Sequence, residues 1–214
     1  MDDVTDFTQL RATMVASQLR TVGVNDPHVV AAMASLPRER FVPAGREALA
    51  YADAAVPLGD GRVLVEPLVT GLLLTHARVG RGDRVLVVGA GTGYAAALLG
   101  RLAARVVALE EDPRLAALAR ARGVNVVEAP LADGVAEDGP YDLIYFDGAI
   151  EAVPDKLAAQ LAPRGRAAAV VRTGGGPGRV TVGRFVGGEL TGETYLEVAA
   201  ALLPGFARAR EFVF

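Results

Sequence analysis

Three glycines and a glutamate are spaced in this chain as a site for an adenosyl group requires. Residues 89–93 read Gly-Ala-Gly-Thr-Gly directly after the predicted strand 84–88, and Glu110 ends the next predicted strand. Glycines allow the backbone to turn sharply and to come within contact distance of a ligand. A carboxylate at the end of the neighbouring strand can accept hydrogen bonds from both hydroxyls of a ribose. The alternative for Glu110 is a solvated strand end without a ligand.

The same turn does not fit other nucleotide cradles. The dinucleotide motif Gly-x-Gly-x-x-Gly would need glycine at position 94, where the chain has Tyr94. No Gly-Lys-Ser/Thr follows the turn, which excludes a phosphate loop. A nicotinamide oxidoreductase is therefore the least favoured function. Tyr94 is expected either to border the ligand crevice or to belong to the core.

Two further turns are expected at the same edge of the sheet. Asp133-Gly134 follows the third predicted strand, where the aspartate can reach an adenine amino group. Asp147-Gly148 follows the fourth strand and faces the crevice, although such pairs are also ordinary turns. The predicted cofactor-binding residues are Gly89, Ala90, Gly91, Gly93, Glu110, Glu111, Asp133 and Gly134.

The elements that must position these residues change character near residue 80. Residues 1–79 are predicted to form a helical cap, with a strand signal only at 62–65. Residues 80–214 alternate short apolar runs with helical ones and are predicted to form the binding core, in one compact unit with the cap. The predicted helices are 6–22, 27–36, 67–77, 93–103, 112–122 and 153–161, and the predicted core strands are 84–88, 105–110, 124–128, 141–146 and 166–171.

This alternation predicts an α/β fold with a mostly parallel sheet and helices on both faces. Its apolar runs do not alternate with polar residues, which is typical of strands buried on both faces. Three strand-like pieces after the glycine-rich segment 174–178 predict an antiparallel edge at the C-terminal end. Phe206, Phe212 and Phe214 could line the acceptor side or be buried in that edge.

Composition excludes several classes of function. The 214 residues contain no cysteine, which rules out disulfides and thiolate metal sites, and only two isolated histidines, so no metal site is predicted. The net charge of −3 gives no reason to expect nucleic acid. An acidic start replaces the basic region of a signal peptide, and no apolar run is long enough to cross a membrane. We therefore expect a cytoplasmic protein.

The first third of the chain resembles the protein-L-isoaspartate O-methyltransferases. The resemblance rests on several blocks in order, namely Met14–Leu19, Gly23–Asp26, Ala32-Met33, Pro37–Pro43, Ala50-Tyr51 with Asp53, and Pro57–Gly61, and it continues through residue 148 to Leu161–Arg166. It implies a Rossmann-like class I methyltransferase with a seven-stranded sheet and S-adenosylmethionine as cofactor, converted to S-adenosylhomocysteine. The implied function is repair of proteins or peptides by methylation of isoaspartyl residues.

The implied methyl transfer requires no side chain that acts as a nucleophile or as a general base. The family's cofactor positions fall here on Gly89, Gly91, Gly93, Glu110 and Asp133. An acceptor carboxyl with a pKa near 3.9 is already ionised at neutral pH and needs no general base. Catalysis then rests on alignment of two bound reactants and on exclusion of water. The lack of a nucleophile motif is therefore no argument against a methyltransferase.

The acceptor side departs from the family pattern. Where the family reads Gln-Thr-Ile-Ser-x-Pro, residues 62–67 read Arg-Val-Leu-Val-Glu-Pro, so Val65 stands at the place of the catalytic serine and Val63 at that of the threonine. Thr70 replaces a frequent histidine, and Val87 replaces an acidic residue. Valine offers neither donor nor acceptor. The predicted substrate-binding residues are Val63, Leu64, Glu66 and Thr70.

These departures leave three hypotheses open beside the oxidoreductase. The chain is a slower repair enzyme, or a methyltransferase with a changed acceptor, or a non-catalytic module that binds S-adenosylmethionine. Loss of one hydroxyl contact costs roughly 0.5–1.5 kcal/mol, or up to about tenfold in rate. Glu66 could be a new polar ligand, but a solvated carboxylate at a helix start explains it as well.

Overall fold

The computed structural model describes residues 5–174 and 176–209. Its α-helices are α1 (Phe7–Thr13), α2 (Pro27–Ser35), α3 (Pro67–Ala77), α4 (Tyr94–Leu99), α5 (Pro113–Ala121) and α6 (Asp155–Ala158). Its strands are β1 (Val56–Gly59), β2 (Arg62–Leu64), β3 (Arg84–Val88), β4 (Arg105–Glu110), β5 (Val126–Glu128), β6 (Tyr141–Ile150), β7 (Leu161–Arg172), β8 (Gly178–Val186) and β9 (Glu189–Val198).

Seven strands form one sheet in the order β5-β4-β3-β6-β7-β8-β9. The strands from β5 to β7 pair in parallel, and β8 and β9 add an antiparallel hairpin at the edge. Since β4 and β6 flank β3 on opposite sides, strand order reverses at β3, and a crevice opens there at the carboxyl ends. The predicted α/β fold and its antiparallel edge are confirmed.

The sheet is buried on both faces, and β3 shows this most clearly. Val85 and Val87 belong to the apolar cluster that contains the N-terminal helices, whereas Leu86 and Val88 belong to a second cluster on the opposite face. Successive side chains of a strand point to opposite faces, so an uninterrupted apolar run serves both clusters. Val87, at the family's acidic position, is therefore a fully buried core residue.

The N-terminal third contributes to the same core as the sheet. One apolar cluster includes Met14 and Leu73 from this third together with Tyr94 and Leu143 from the rest of the chain. Helix α3 has the predicted bounds, and the predicted helix 6–22 is continuous but changes from α1 to a π-helical turn and then to a 3-10 turn. The division into a cap and a core stays a prediction.

Several element boundaries differ from prediction for local reasons. Strand β1 was not predicted; it pairs antiparallel with β2, with Val56 opposite Leu64. Helix α4 ends at Leu99, with Gly100 as its C-cap, and α6 is a single turn because the chain already pairs as β7 from Leu161. After the glycine-rich segment the described residues form two strands and one isolated bridge, Ala149 to Leu202, rather than three strands.

Within residues 5–174 and 176–209, no helix is long and apolar enough to cross a membrane. The same described residues contain no group of three or more potential metal ligands.

Candidate active site

The glycine turn is held to the neighbouring strand by its backbone. The amides of Gly89 and Ala90 both donate to the carbonyl of Leu109, at 3.0 and 2.9 Å. Gly89 and Gly91 have φ angles of +75° and +56°, a conformation that L side chains rarely adopt. This backbone places the turn at the carboxyl end of β3, beside the end of β4.

Gly93 has a packing role that the motif alone does not reveal. Its φ is +94°, and it caps the start of α4. A Cβ placed on it would lie 2.8 Å from the side chain of Val124 and 3.1 Å from Ala119. Glycine at this position is therefore required by contact with the α5 region.

Glu110 lies at the end of β4 with no exposed surface. Its Oε2 accepts a hydrogen bond from the amide of Gly91 at 2.7 Å. Its Oε1 accepts from the amides of Glu111 and Asp112, both at 3.0 Å. Three backbone donors thus fix the carboxyl group next to the glycine turn, where a ribose was expected to bind.

Arg62 is the residue that sequence reasoning missed. Its guanidinium, 7% exposed, binds Glu110 in a bidentate ion pair with Nη1–Oε1 at 2.7 Å and Nη2–Oε2 at 2.9 Å. Nη2 also donates to the carbonyl of Gly89 at 3.0 Å. Arginine in a segment where the family has glutamine was the available signal, but a pairing across 48 residues could not be read from spacing.

A cleft of about 510 Å³ opens beside this ion pair. It is lined by Asp60, Arg62, Glu111, Asp112, Glu128, Ala129, Pro130 and Pro204. Its size is ordinary for a small-molecule site. Arg62, which lines the cleft, separates it from the buried Glu110, so the cleft and this carboxylate fit an adenosyl group provided that Arg62 releases the carboxylate.

The loop after β5 places Asp133 and Gly134 against other partners. The Asp133 carboxylate forms an ion pair with Lys156 at 2.9 Å, about half exposed. Gly134 has a φ of +64°, and a Cβ there would collide with the Gln160 side chain. Gln160 in turn donates to the Asp133 carbonyl at 2.7 Å. Neither residue lines the 510 Å³ cleft, and their adenine contact stays a prediction.

The acceptor-side residues come together where β2 leads into α3. Leu64 and Val65 are each 3% exposed, Thr70 is buried, and Val63 is half-buried. The carbonyl of Val65 accepts a hydrogen bond from Arg38 Nη2 at 2.6 Å. This segment is therefore fixed through its backbone.

Glu66 stands at the start of α3 without capping it through its side chain. Burial raises the pKa of this half-buried carboxyl, and Asp53 adds to the increase while Arg38 opposes it. These neighbours fit the helix-start interpretation and the ligand interpretation equally.

A buried polar cluster lies behind the segment, formed by Arg38, Tyr94, Tyr145 and Asp147. The guanidinium carbon of Arg38 is 4.6 Å from the centroid of the Tyr94 ring. Arg38 Nη1 and both tyrosine hydroxyls have no hydrogen-bond partner among the described residues. Burial raises the pKa of Asp147 to about 7, although Arg62 and Arg38 oppose that increase. The core role expected as one alternative for Tyr94 explains its burial but not the polar and charged groups that surround it.

The segment after β9 crosses the ends of β3 and β6. The amide of Ala149 donates to the Ala201 carbonyl at 2.8 Å, and the amide of Leu203 donates to the Ala149 carbonyl at 2.9 Å. A Cβ placed on Gly89 would lie 2.7 Å from Leu203 Cδ2, and one on Gly148 would lie 2.9 Å from it. Leu203 therefore closes the crevice over the first glycine of the turn.

Phe206 follows Leu203 in the same segment. It is fully buried, and its ring centroid lies 5.3 Å from that of Phe146. It packs in the apolar cluster that also contains Leu86 and Val88. Phe212 and Phe214 lie outside the described residues.

Solved structures show the same fold. One structure of a protein-L-isoaspartate O-methyltransferase matches with a TM-score of 0.75 at 24% identity, covering 94% of this chain and 66% of that one. A crystal structure from Plasmodium falciparum, described as a putative protein-L-isoaspartate O-methyltransferase in complex with S-adenosyl-L-homocysteine, matches with a TM-score of 0.74 at 16% identity. It covers 93% of this chain and 98% of that one.

Sequence relatives are closer. A protein-L-isoaspartate O-methyltransferase of Koribacter versatilis is 40% identical over 171 residues, 77% of each chain. One of Methylorubrum extorquens is 39% identical over 181 residues, 82% of this chain and 79% of the relative. The family model described as protein-L-isoaspartate(D-aspartate) O-methyltransferase matches residues 10–180. The chain therefore belongs to the protein-L-isoaspartate(D-aspartate) O-methyltransferase family.

Proposed function

We propose that the chain is an S-adenosylmethionine-dependent carboxyl O-methyltransferase that acts on isoaspartyl residues of proteins or peptides. The observation that carries the proposal is the family match over residues 10–180, within which Glu110 lies buried at the end of β4 beside the glycine turn. Relatives about 40% identical to this chain are named for the same reaction. We further propose a cytoplasmic location, which the absence of cysteine fits.

The chain would hold the cofactor from three sides. Glu110 would accept the ribose hydroxyls, the backbone of the glycine turn would approach the cofactor closely, and the cleft beside Ala129 and Pro130 would enclose the adenine. When bound, S-adenosylmethionine supplies a sulfonium methyl group that an ionised carboxylate accepts directly. The chain therefore needs to align and enclose the reactants rather than to transfer a proton.

On the acceptor side, the chain offers fewer donors than the family pattern. Val63 and Val65 cannot hydrogen-bond a carboxylate through their side chains. Backbone amides at the start of α3 remain, and helix N-termini favour negative charge. The positive charge of Arg38 lies behind the same segment. We expect these groups to hold the acceptor carboxylate more weakly, with a rate reduced by up to about tenfold for each lost hydroxyl contact.

One preparation should be used for two measurements. Calorimetry with S-adenosylhomocysteine tests the cofactor, and transfer of a labelled methyl group to an isoaspartyl peptide tests the reaction. The same peptide with ordinary aspartate is the matched control. Base-labile label on the isoaspartyl peptide alone supports the proposal.

The other outcomes favour the alternatives. Turnover on a different acceptor from a panel would show a changed substrate. Binding without turnover on any acceptor would indicate a non-catalytic module. Failure to bind S-adenosylhomocysteine would contradict the proposed cofactor and with it the proposed reaction.

A further inference from the structure

The Glu110 carboxylate has no free capacity to accept a ribose. Oε1 accepts from Arg62 Nη1 and from the amides of Glu111 and Asp112, and Oε2 accepts from Arg62 Nη2 and the amide of Gly91. A carboxylate has about four lone-pair sites. Two ribose hydroxyls can therefore bind only if the guanidinium of Arg62 leaves, because the other three donors belong to the backbone that forms the turn.

Arg62 needs another acceptor when it leaves. Only 7% of the side chain is exposed, and Arg62 lies in strand β2 at the wall of the cleft. Breaking a buried ion pair without replacing it leaves an uncompensated charge, a strongly unfavourable change. A second carboxylate within the same crevice would remove that cost.

Asp147 is placed to be that second partner. Strands β3 and β6 are parallel with Val88 opposite Phe146, so Gly89 and Asp147 are the next residues of the two strands. The Gly89 carbonyl already accepts a hydrogen bond from Arg62 at 3.0 Å. Asp147 is 7% exposed. The ion pairs formed among the described residues do not include its carboxylate. An unpaired buried carboxylate thus lies beside the group that Arg62 contacts.

We propose that Arg62 exchanges between two carboxylates, pairing with Glu110 in the protein alone and with Asp147 when the ribose of the cofactor binds Glu110. Arg62 is then a positioning residue for cofactor binding, and Asp147 is its second partner. The inference rests on the cofactor of the proposed function but not on the methyl acceptor.

A double-mutant cycle on S-adenosylhomocysteine binding tests the exchange. Asp147→Asn removes the second partner and should weaken binding by at least about tenfold, because the displaced guanidinium stays unpaired. Arg62→Gln, which installs the family's residue, removes the competitor for Glu110 and should strengthen binding. In the Arg62→Gln background, Asp147→Asn should change the affinity by less than about twofold. Asp155→Asn on the exposed turn α6 is the matched control and should bind as the parent chain does.

The pH dependence of binding provides a second readout. The charged groups around Asp147 are Arg62 from β2, Arg38 from the N-terminal third and Glu110 from β4, with Tyr145 on its own strand. With Arg62 on Glu110, the pKa of Asp147 is about 7. Arrival of the guanidinium lowers it, so binding releases a proton, and affinity should rise between about pH 5 and pH 7 and then level off. Asp147→Asn should flatten this profile.

The outcomes separate this inference from the proposed function. Binding that responds equally to Asp147→Asn with and without Arg62 would overturn the exchange, as would binding that ignores both substitutions. Coupled binding without any isoaspartyl turnover would support the exchange and contradict the proposed reaction. If no variant binds S-adenosylhomocysteine while all unfold cooperatively in urea, the cofactor assignment fails and the exchange fails with it.

Discussion

Arg38 and Val65 are joined by a hydrogen bond of 2.6 Å from the guanidinium Nη2 to the backbone carbonyl oxygen. The same guanidinium donates through Nε to the carbonyl of Ala50 at 2.7 Å. One fully buried side chain thus ties the acceptor-side segment to the short helical turn that contains Ala50. The path of the acceptor segment depends on this fork of donors, whatever side chain stands at position 65.

Arg38→Lys should therefore destabilise the chain although it keeps the positive charge. A lysine ammonium cannot reproduce the planar fork that reaches two carbonyls. Loss of one charge-assisted hydrogen bond should lower the free energy of unfolding by about 1.5–3 kcal/mol. Urea unfolding measures the change, with Arg20→Lys on the exposed N-terminal surface as the control. Equal stability of the two variants would contradict a role for the fork.

Restoring the family's hydroxyls tests whether only the acceptor side has changed. Val63→Thr with Val65→Ser should raise the rate of isoaspartyl-peptide methylation, by up to about tenfold for each hydroxyl that contacts the acceptor. Burial of the hydroxyl introduced by Val65→Ser should cost roughly 1–3 kcal/mol of stability where it lacks a partner. Initial rates at saturating cofactor measure the gain. Val186→Thr, at the exposed end of β8, is the control and should leave the rate unchanged. The absence of any gain in the double variant would contradict the hypothesis that only the acceptor side has changed.

The parallel strands of the core were predictable because the sequence patterns that specify them are local. Residues 85–88 form an uninterrupted apolar run, and the structure shows β3 with the predicted bounds, its apolar residues buried on both faces. Pro67 opens α3 where a proline at the first helical position was expected. Strand β1 was not predicted because it contains Pro57 and because it forms by pairing with β2.

The contents of the candidate site were less predictable because they depend on tertiary contacts. Glu110 was expected at the crevice and lies there, but its partner Arg62 is 48 residues away. Leu203 reaches Gly89 from beyond the last strand, and no local pattern connects the two. The sequence predicts that Gly134 lies in a turn beside the ligand, whereas in the structure Gly134 packs against the side chain of Gln160. The roles of these residues in cofactor binding stay predictions.

Leu203→Ala should destabilise the chain and open the crevice. The Leu203 side chain is 3% exposed and fills the space between Gly89 and Gly148. Truncating a buried leucine costs about 2–5 kcal/mol, depending on how far the site collapses. Urea unfolding measures this cost against Leu196→Ala, whose side chain is 43% exposed and whose effect should stay within about 0.5 kcal/mol. Similar losses in both variants would show that Leu203 does not close a packed site.

Asp147→Asn should reveal a pH-dependent stability. The folded-state pKa of Asp147 is about 7, above the ordinary value of 3.8 that the unfolded chain approaches. Between these values the folded state holds a proton that the unfolded state has lost, so the stability of the parent chain falls as pH rises and the contribution levels off above about pH 7. Asparagine has no such proton. From about pH 5 to about pH 8 the stability of Asp147→Asn relative to the parent should therefore rise, by about 2–3 kcal/mol. Urea unfolding of both proteins across this range measures the difference, and a constant difference would show that the buried carboxylate is ionised throughout, with Arg62 already paired to it.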